Sequence, residues 1–231
     1  MKKRNASLIK PYALILPALA LAVVFAYRPF ILTLLNSLHT VSLQGQRLTF
    51  VGLENYQRLF ASQSFQASLS NTLRFTLFFV PTNLIVCLGA ALLSNRNGKL
   101  ASLNQVFFFL PMAVGLSSSM MILKMMFNPS IGIINQLFGT DIQWFNDKHA
   151  AMALLVMAGV YLDIGLNFLL LHAALRNVPS ELHEVAKIEG ANSFQIFRYL
   201  QAPLIAPTFV FVLMTNIKDA MLISSPVLIL T

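Results

Sequence analysis

The 231-residue chain is 57% hydrophobic and only 10% charged, with a mean hydropathy of +0.71. An aqueous fold needs far more charge to cover its surface, so a water-soluble globular domain is excluded and lipid is the solvent. The net charge of +8 raises nucleic acid as a partner, but the sequence has no basic patches interleaved with aromatics, and that partner is excluded too.

Apolar residues fall into five blocks, at 12–35, 71–94, 103–127, 150–175 and 204–228. Each is close to the ~20 residues that cross a ~30 Å hydrocarbon core as a helix. Bare backbone polar groups are not tolerated in hydrocarbon, so every block is predicted to be helical. The expected fold class is an all-α, polytopic membrane protein of about five transmembrane helices.

In chain order, Lys2, Lys3, Arg4 and Lys10 precede the first block, which is too long for a cleaved leader and reads as an uncleaved signal anchor. The polar stretch 37–70 follows, and the apolar spacing within 50–56 suits a short surface helix or docking segment. The second block carries Asn83 and the single cysteine, Cys87. One cysteine allows neither a disulfide nor a cysteine-based metal site, and Cys87 reads as a small packing residue. The third block has Pro111 in its Phe-rich half and Gly115-Leu116-Ser117-Ser118-Ser119 in its middle. Trp144, beside Phe145 in the next loop, suits an interfacial anchor. The fourth block is the least interrupted, and the fifth begins at Pro203 and Pro207, with proline near the first helical position.

Basic residues are distributed unevenly. Nine (Lys2, Lys3, Arg4, Lys10, Arg96, Lys99, Arg176, Lys187 and Arg198) fall on one predicted side, against Arg47, Arg58 and Lys148 on the other. By the positive-inside rule the N-terminus is cytoplasmic. Five crossings then place the C-terminus outside. The chain stops at an apolar Val227-Leu228-Ile229-Leu230-Thr231 without a polar tail, which suggests an interrupted protein.

The fourth loop, on the predicted cytoplasmic side, is the most informative. Pro179 and Ser180 form a helix start, with Ser180 able to act as N-cap, and Glu181 suits the positive end of the helix dipole. Leu182, Val185, Ala186 and Ile188 give an apolar face. Gly190 falls where a left-handed residue ends a helix. Asn192 and Gln195 then form an Asn-x-x-Gln capping box, and Phe194, Phe197, Tyr199 and Leu200 make the next helix apolar until Pro203 forces a stop. The loop 177–203 is therefore predicted to be a helix–glycine–helix elbow offering an apolar face to the cytoplasm.

Residues 178–207 resemble the EAA loop of bacterial ABC-importer permeases: Glu184-Val185-Ala186, Gly190-Ala191, Phe197 and Pro203 stand at the positions of that pattern. Val185 replaces the middle alanine and Glu189 the usual aspartate before glycine, while Leu200-Gln201-Ala202 precede Pro203. The stretch 50–56, Phe127-Asn128-Pro129 with Gly132 and Asn135, and Ala173-Ala174-Leu175 before Pro179 look like the sugar and glycerol-3-phosphate class of these permeases.

That resemblance implies a binding-protein-dependent permease translocating a sugar or polyol phosphate across a bacterial inner membrane. Glu184, Ala186, Gly190, Ala191 and Pro203 would couple it to a separate ATPase. The implied partners are ATPase subunits, a second permease and an extracytoplasmic solute-binding protein. ATP would be held by the partner and no cofactor by this chain. The sequence agrees, since Gly98-Lys99 lacks the flanking residues of a Walker A loop. Family members run on through a further helix, so residues 1–231 are expected to be a C-terminally incomplete permease domain.

Ionisable groups at a helix centre cost ~2.5–3.5 kcal/mol on insertion scales and usually face a cavity or partner. Asp163 and Asn167 share a face of the fourth block by their i, i+4 spacing, and Asn216, Lys218 and Asp219 lie in the fifth. Asn83, Asp163, Asn167 and Asn216 are the candidate solute-pathway residues. The competing reading is interhelical glue, for example Asp163 with Lys124.

No catalytic or metal site is expected. Ser117 and His172 could suggest a serine protease, but they sit at opposite depths, with Ser117 ~20 Å along its helix and His172 near a cytoplasmic end. His183-Glu184-Val185-Ala186-Lys187 starts like a zinc-protease helix but has lysine where the second histidine belongs. The remaining alternatives are a proton-coupled secondary carrier and an inactive truncated permease.

Overall fold

The structure is a computed structural model and describes residues 14–42, 44–95 and 98–223. Lys2, Lys3, Arg4, Lys10, Arg96 and the end of the fifth apolar block lie outside the described residues. The chain divides into two compact units, residues 1–69 and 70–231.

The first unit starts with α1, Leu14–Ser37, which contains a π-helical turn at Val23–Tyr27 just before Pro29. A two-stranded antiparallel hairpin follows, β1 (His39–Val41) with β2 (Arg47–Phe50), closed at Gly45 with φ +81°. Gly52, at φ +56°, turns the chain into α2, Glu54–Ala61. The Asn55 amide donates to the carbonyls of Ser37 (2.9 Å) and His39 (3.0 Å), and the Tyr56 hydroxyl to Ser37 Oγ at 2.7 Å. The motif at 50–56 is thus a latch that closes the hairpin onto the end of α1.

The second unit is built on α3 (Gln63–Ser94, whose first turns belong to the first unit), α4 (Lys99–Ala113), α5 (Leu116–Met126), α6 (Ile133–Phe138), α7 (Lys148–Arg176), α8 (Ser180–Ile188) and α9 (Ser193–Met221). Phe75, Phe79 and Leu84 of α3, Phe168, Leu171 and Leu175 of α7, and Ile205 and Val212 of α9 form its main core. Two glycines of α7 allow close helix approach. A Cβ at Gly159 would meet the Phe79 ring at 2.9 Å, and one at Gly165 would meet Met112 Cβ at 2.8 Å.

Four helices, α1, α3, α7 and α9, are long and apolar enough to cross a membrane. The third apolar block is not the straight span its length predicts. It breaks into α4 and α5, bent by 103°, so the count reaches five only when the pair is taken as one bent span. Val114 and Gly115 adopt extended conformations at the break, three residues after Pro111. At 1.5 Å per residue α4 and α5 reach ~22 and ~16 Å, short of the ~30 Å core when taken singly.

Between α5 and α7 the chain winds around Asn135, which is buried. Its amide donates to the carbonyls of Pro129 (3.3 Å) and Ile142 (3.0 Å), and its oxygen accepts the Trp144 indole N–H at 2.8 Å. Trp144 also stands edge-on to Phe127, with ring centroids 5.0 Å apart. Its N–H is therefore satisfied inside the protein rather than at a lipid headgroup, and Trp144 pins this loop. Gly132 is required by space, because a Cβ there would collide with the backbone of Met126 and Asn128.

Candidate functional site

Two features carry the chemistry of the second unit: the elbow between α7 and α9, and a polar junction with its cleft among α3, α7 and α9.

The elbow follows its local sequence signals closely. α8 ends in a Schellman arrangement: Gly190 N–H bonds the Lys187 carbonyl at 3.0 Å and Ala191 N–H the Ala186 carbonyl at 2.9 Å. Gly190 has φ +83°, and a Cβ there would meet nothing within 4 Å, so conformation alone and not space demands glycine. The capping box is complete, with Gln195 N–H on Asn192 Oδ1 at 2.9 Å and Asn192 N–H on Gln195 Oε1 at 2.8 Å.

Two details differ from expectation. Pro179, not Ser180, occupies the N-cap position of α8, and no side chain caps that end. Pro203 does not stop the helix: α9 passes through a π-helical turn at Ile196–Gln201, and Pro203 falls just after that turn. The wider turn re-registers the hydrogen bonds so that proline's missing N–H is accommodated.

A contact not foreseen from sequence ties the elbow together. The buried Gln201 amide lies 2.8 Å from His183 Nε2, and His183 Nδ1 lies 3.3 Å from the Pro179 carbonyl. One tautomer satisfies both, with Nδ1–H donating to Pro179 and Nε2 accepting from Gln201. The i, i+4 step from Pro179 to His183 was readable in sequence, whereas the 18-residue step to Gln201 carried no local signal. Outward from this tie, Leu182, Val185, Ile188, Phe194 and Tyr199 are exposed, with Ile188 86% accessible. Glu184 and Pro203 are also exposed, while Ala186 and Ala191 are half-buried.

The intramembrane asparagines converge. Asn216 Oδ1 accepts from Asn83 Nδ2 and from Asn167 Nδ2, both at 2.8 Å, and all three side chains are buried. Cys87 Sγ adds a contact to Asn83 Oδ1 at 3.2 Å. Asn216 Nδ2 is buried without a hydrogen-bond partner. Three helices are thus tied at one oxygen. Asn83 and Asn216 line neither of the clefts beside the junction and hold the helices together.

Asp163 and Asn167 do line open space. A cleft of about 160 Å³ is bordered by Asp163, Leu166, Asn167, Phe211, Thr215, Lys218 and Asp219. A second, of about 210 Å³, is bordered by Asp163, Asp219, Gly159, Leu116 and the rings of Phe75 and Phe79. Lys218 Nζ stands 2.6 Å from Asp219 Oδ1. Thr215 was not anticipated, although its i+3 and i+4 spacing to Lys218 and Asp219 puts all three on one helix face. His172, by contrast, is stacked on Phe168 at 5.4 Å in the core, and among the described residues no cluster suits a metal ion.

A multi-pass helical membrane protein with a polar cleft beside its helix junction and an exposed apolar elbow has the architecture of a transport permease. The chain belongs to the family described as the binding-protein-dependent transport system inner membrane component, whose model matches residues 83–231. It is 34% identical over 221 residues to the sn-glycerol-3-phosphate transport system permease protein UgpA of Shigella flexneri, which covers 94% of this chain and 75% of that protein. The UgpA proteins of Escherichia coli O157:H7 and Yersinia pestis match at the same identity and coverage. In fold it matches a bacterial ABC transporter involved in the import of the acidic polysaccharide alginate, with a TM-score of 0.79 at 20% identity, covering 98% of this chain and 80% of that one. A structure of the alginate transporter in complex with its alginate pentasaccharide-bound periplasmic protein matches equally well. The chain is therefore a multi-pass inner-membrane transport subunit, not an enzyme.

Proposed function

We propose that this permease translocates a sugar or polyol phosphate delivered by an extracytoplasmic solute-binding protein, and that a separate ATPase drives it through the loop 178–203. Glu184, Ala186, Gly190, Ala191 and Pro203 form the coupling element, and a second permease completes the pathway. The N-terminus is cytoplasmic, which places the elbow on the side where ATP is available; ATP is bound by the partner. The solute passes the cleft bordered by Asp163 and Asn167, while Asn83 and Asn216 keep the helices around it in register.

The observation that carries this reading is the elbow: α8 joined to the start of α9 through a left-handed Gly190, a complete capping box and the His183–Gln201 tie, with apolar side chains turned outward. A rigid lever with an apolar face transmits a partner's motion, whereas a flexible loop would absorb it. The family to which the chain belongs also supports ATP-driven import over a proton-coupled carrier.

The test is solute uptake into vesicles holding the complete importer. Uptake should require hydrolysable ATP and the binding protein and should survive a protonophore. Uptake that persists without ATP and collapses with the protonophore would return the chain to the secondary-carrier reading.

A further inference from the structure

We propose that the cleft selects its solute by charge, favouring a neutral, hydroxyl-rich molecule over a dianionic phosphate. This inference rests on the reading of the cleft as the solute path and narrows the substrate class left open above.

The two adjoining clefts share Asp163 and Asp219 as walls. Of the groups bordering them, two are acidic (Asp163, Asp219) and one is basic (Lys218). Lys218 is paired with one of them, its Nζ lying 2.6 Å from Asp219 Oδ1. Asp163 makes no hydrogen bond or ion pair among the described residues, and with two carboxylates against one ammonium the walls carry an excess of one negative charge.

The neutral polar groups point the same way. The Thr215 hydroxyl donates to backbone carbonyls, to Val212 at 2.9 Å or Phe211 at 3.1 Å, which leaves its lone pairs as acceptors. One of the two Asn167 amide N–H groups is spent on Asn216. Beside the remaining N–H groups of Asn167 and Lys218, the cleft offers the carboxylate and hydroxyl acceptors of Asp163, Asp219 and Thr215. A sugar meets them with many O–H donors, whereas a phosphate dianion brings further acceptors and like charge. One excess carboxylate within about 6 Å of the solute, at an effective dielectric of about 40, is worth on the order of a tenfold bias per unit of solute charge.

The experiment reads the potential in the cleft directly. In the complete importer, Thr215→Cys is reacted with cationic, neutral and anionic methanethiosulfonates of similar size, and modification of this chain is followed by mass. Rates are normalised to those of a free neutral thiol. Leu166→Cys, across the cleft on α7, serves as the second position should Thr215→Cys fail to assemble. The expected result is a cation-to-anion rate ratio at least about tenfold above the free-thiol ratio, falling about tenfold when Asp163→Asn is added. A ratio equal to that of the free thiol, or one unmoved by Asp163→Asn, overturns the charge inference while leaving the pathway intact. Failure of every reagent to reach either cysteine, in any nucleotide state of an active importer, overturns the pathway reading itself.

Discussion

The elbow and the asparagine junction are both built from ordinary polar side chains, yet they fold by opposite logic. Every hydrogen bond of the elbow except the His183–Gln201 tie joins residues no more than five apart, and its surface is exposed. The junction joins Asn83 to Asn216 across 133 positions and Asn167 to Asn216 across 49, and its three side chains are buried. A short-range element keeps its shape while its surroundings move, which a coupling lever requires. A long-range junction fixes the relation of three helices and gives way only when they do.

The strongest challenge to that contrast is Asn216→Ala. It strands the buried donors of Asn83 and Asn167 together, at about 1–3 kcal/mol for each unsatisfied group. The melting temperature of the purified importer should drop by several degrees. A drop no larger than that of an exposed substitution such as Tyr199→Ala would show the junction to be dispensable.

Gly165→Leu probes helix approach instead of hydrogen bonding. With Met112 Cβ already at 2.8 Å from an ideal Cβ, the added bulk must push α4 away from α7, at about 1–3 kcal/mol. Loss of a cysteine cross-link engineered between these helices would register the displacement. Trp144→Phe removes one indole donor from Asn135 and should cost about 1 kcal/mol, read as a smaller melting shift.

How far the sequence revealed these parts follows the same division. The left-handed Gly190 and the Asn192–Gln195 box were legible because they depend on neighbours in the chain. The polar spacing of Asp163 and Asn167 correctly placed them on one face, but nothing local could say that Asn83 and Asn216 would meet away from the clefts. Pro203 misled as a stop signal because the π-helical turn before it absorbs the missing donor, and π turns leave no periodic trace. The 103° break was hidden for a related reason: Pro111 and Gly115 are each tolerated in a straight membrane helix, and only together with the extended backbone at Val114 do they divide the span.

The smallest expected effect is a pH dependence at the N-terminus of α7. The Asp147 carboxylate accepts from Ala150 N–H (2.8 Å) and His149 N–H (2.9 Å), chiefly the former holding it below the ordinary aspartate range. A depressed carboxyl contributes fully above its unfolded value and loses that contribution as pH falls through its folded value. Acid should therefore lower the protection of the His149 and Ala150 amides relative to their intrinsic exchange rates, and Asp147→Asn should remove most of that pH dependence. Exchange with the same pH profile in both proteins would exclude the cap as the cause.

The central claim is that the rigid elbow transmits ATP hydrolysis to the membrane helices. It is tested most directly by the ratio of solute transported to ATP hydrolysed in vesicles carrying Gly190→Val or Gly190→Asn. Space is open around Gly190, and asparagine tolerates a left-handed backbone far better than a β-branched residue, so only valine should distort the turn. The account predicts a ratio near wild type for Gly190→Asn and at least about tenfold lower for Gly190→Val, with both proteins inserted in the membrane. A wild-type ratio for Gly190→Val would contradict it.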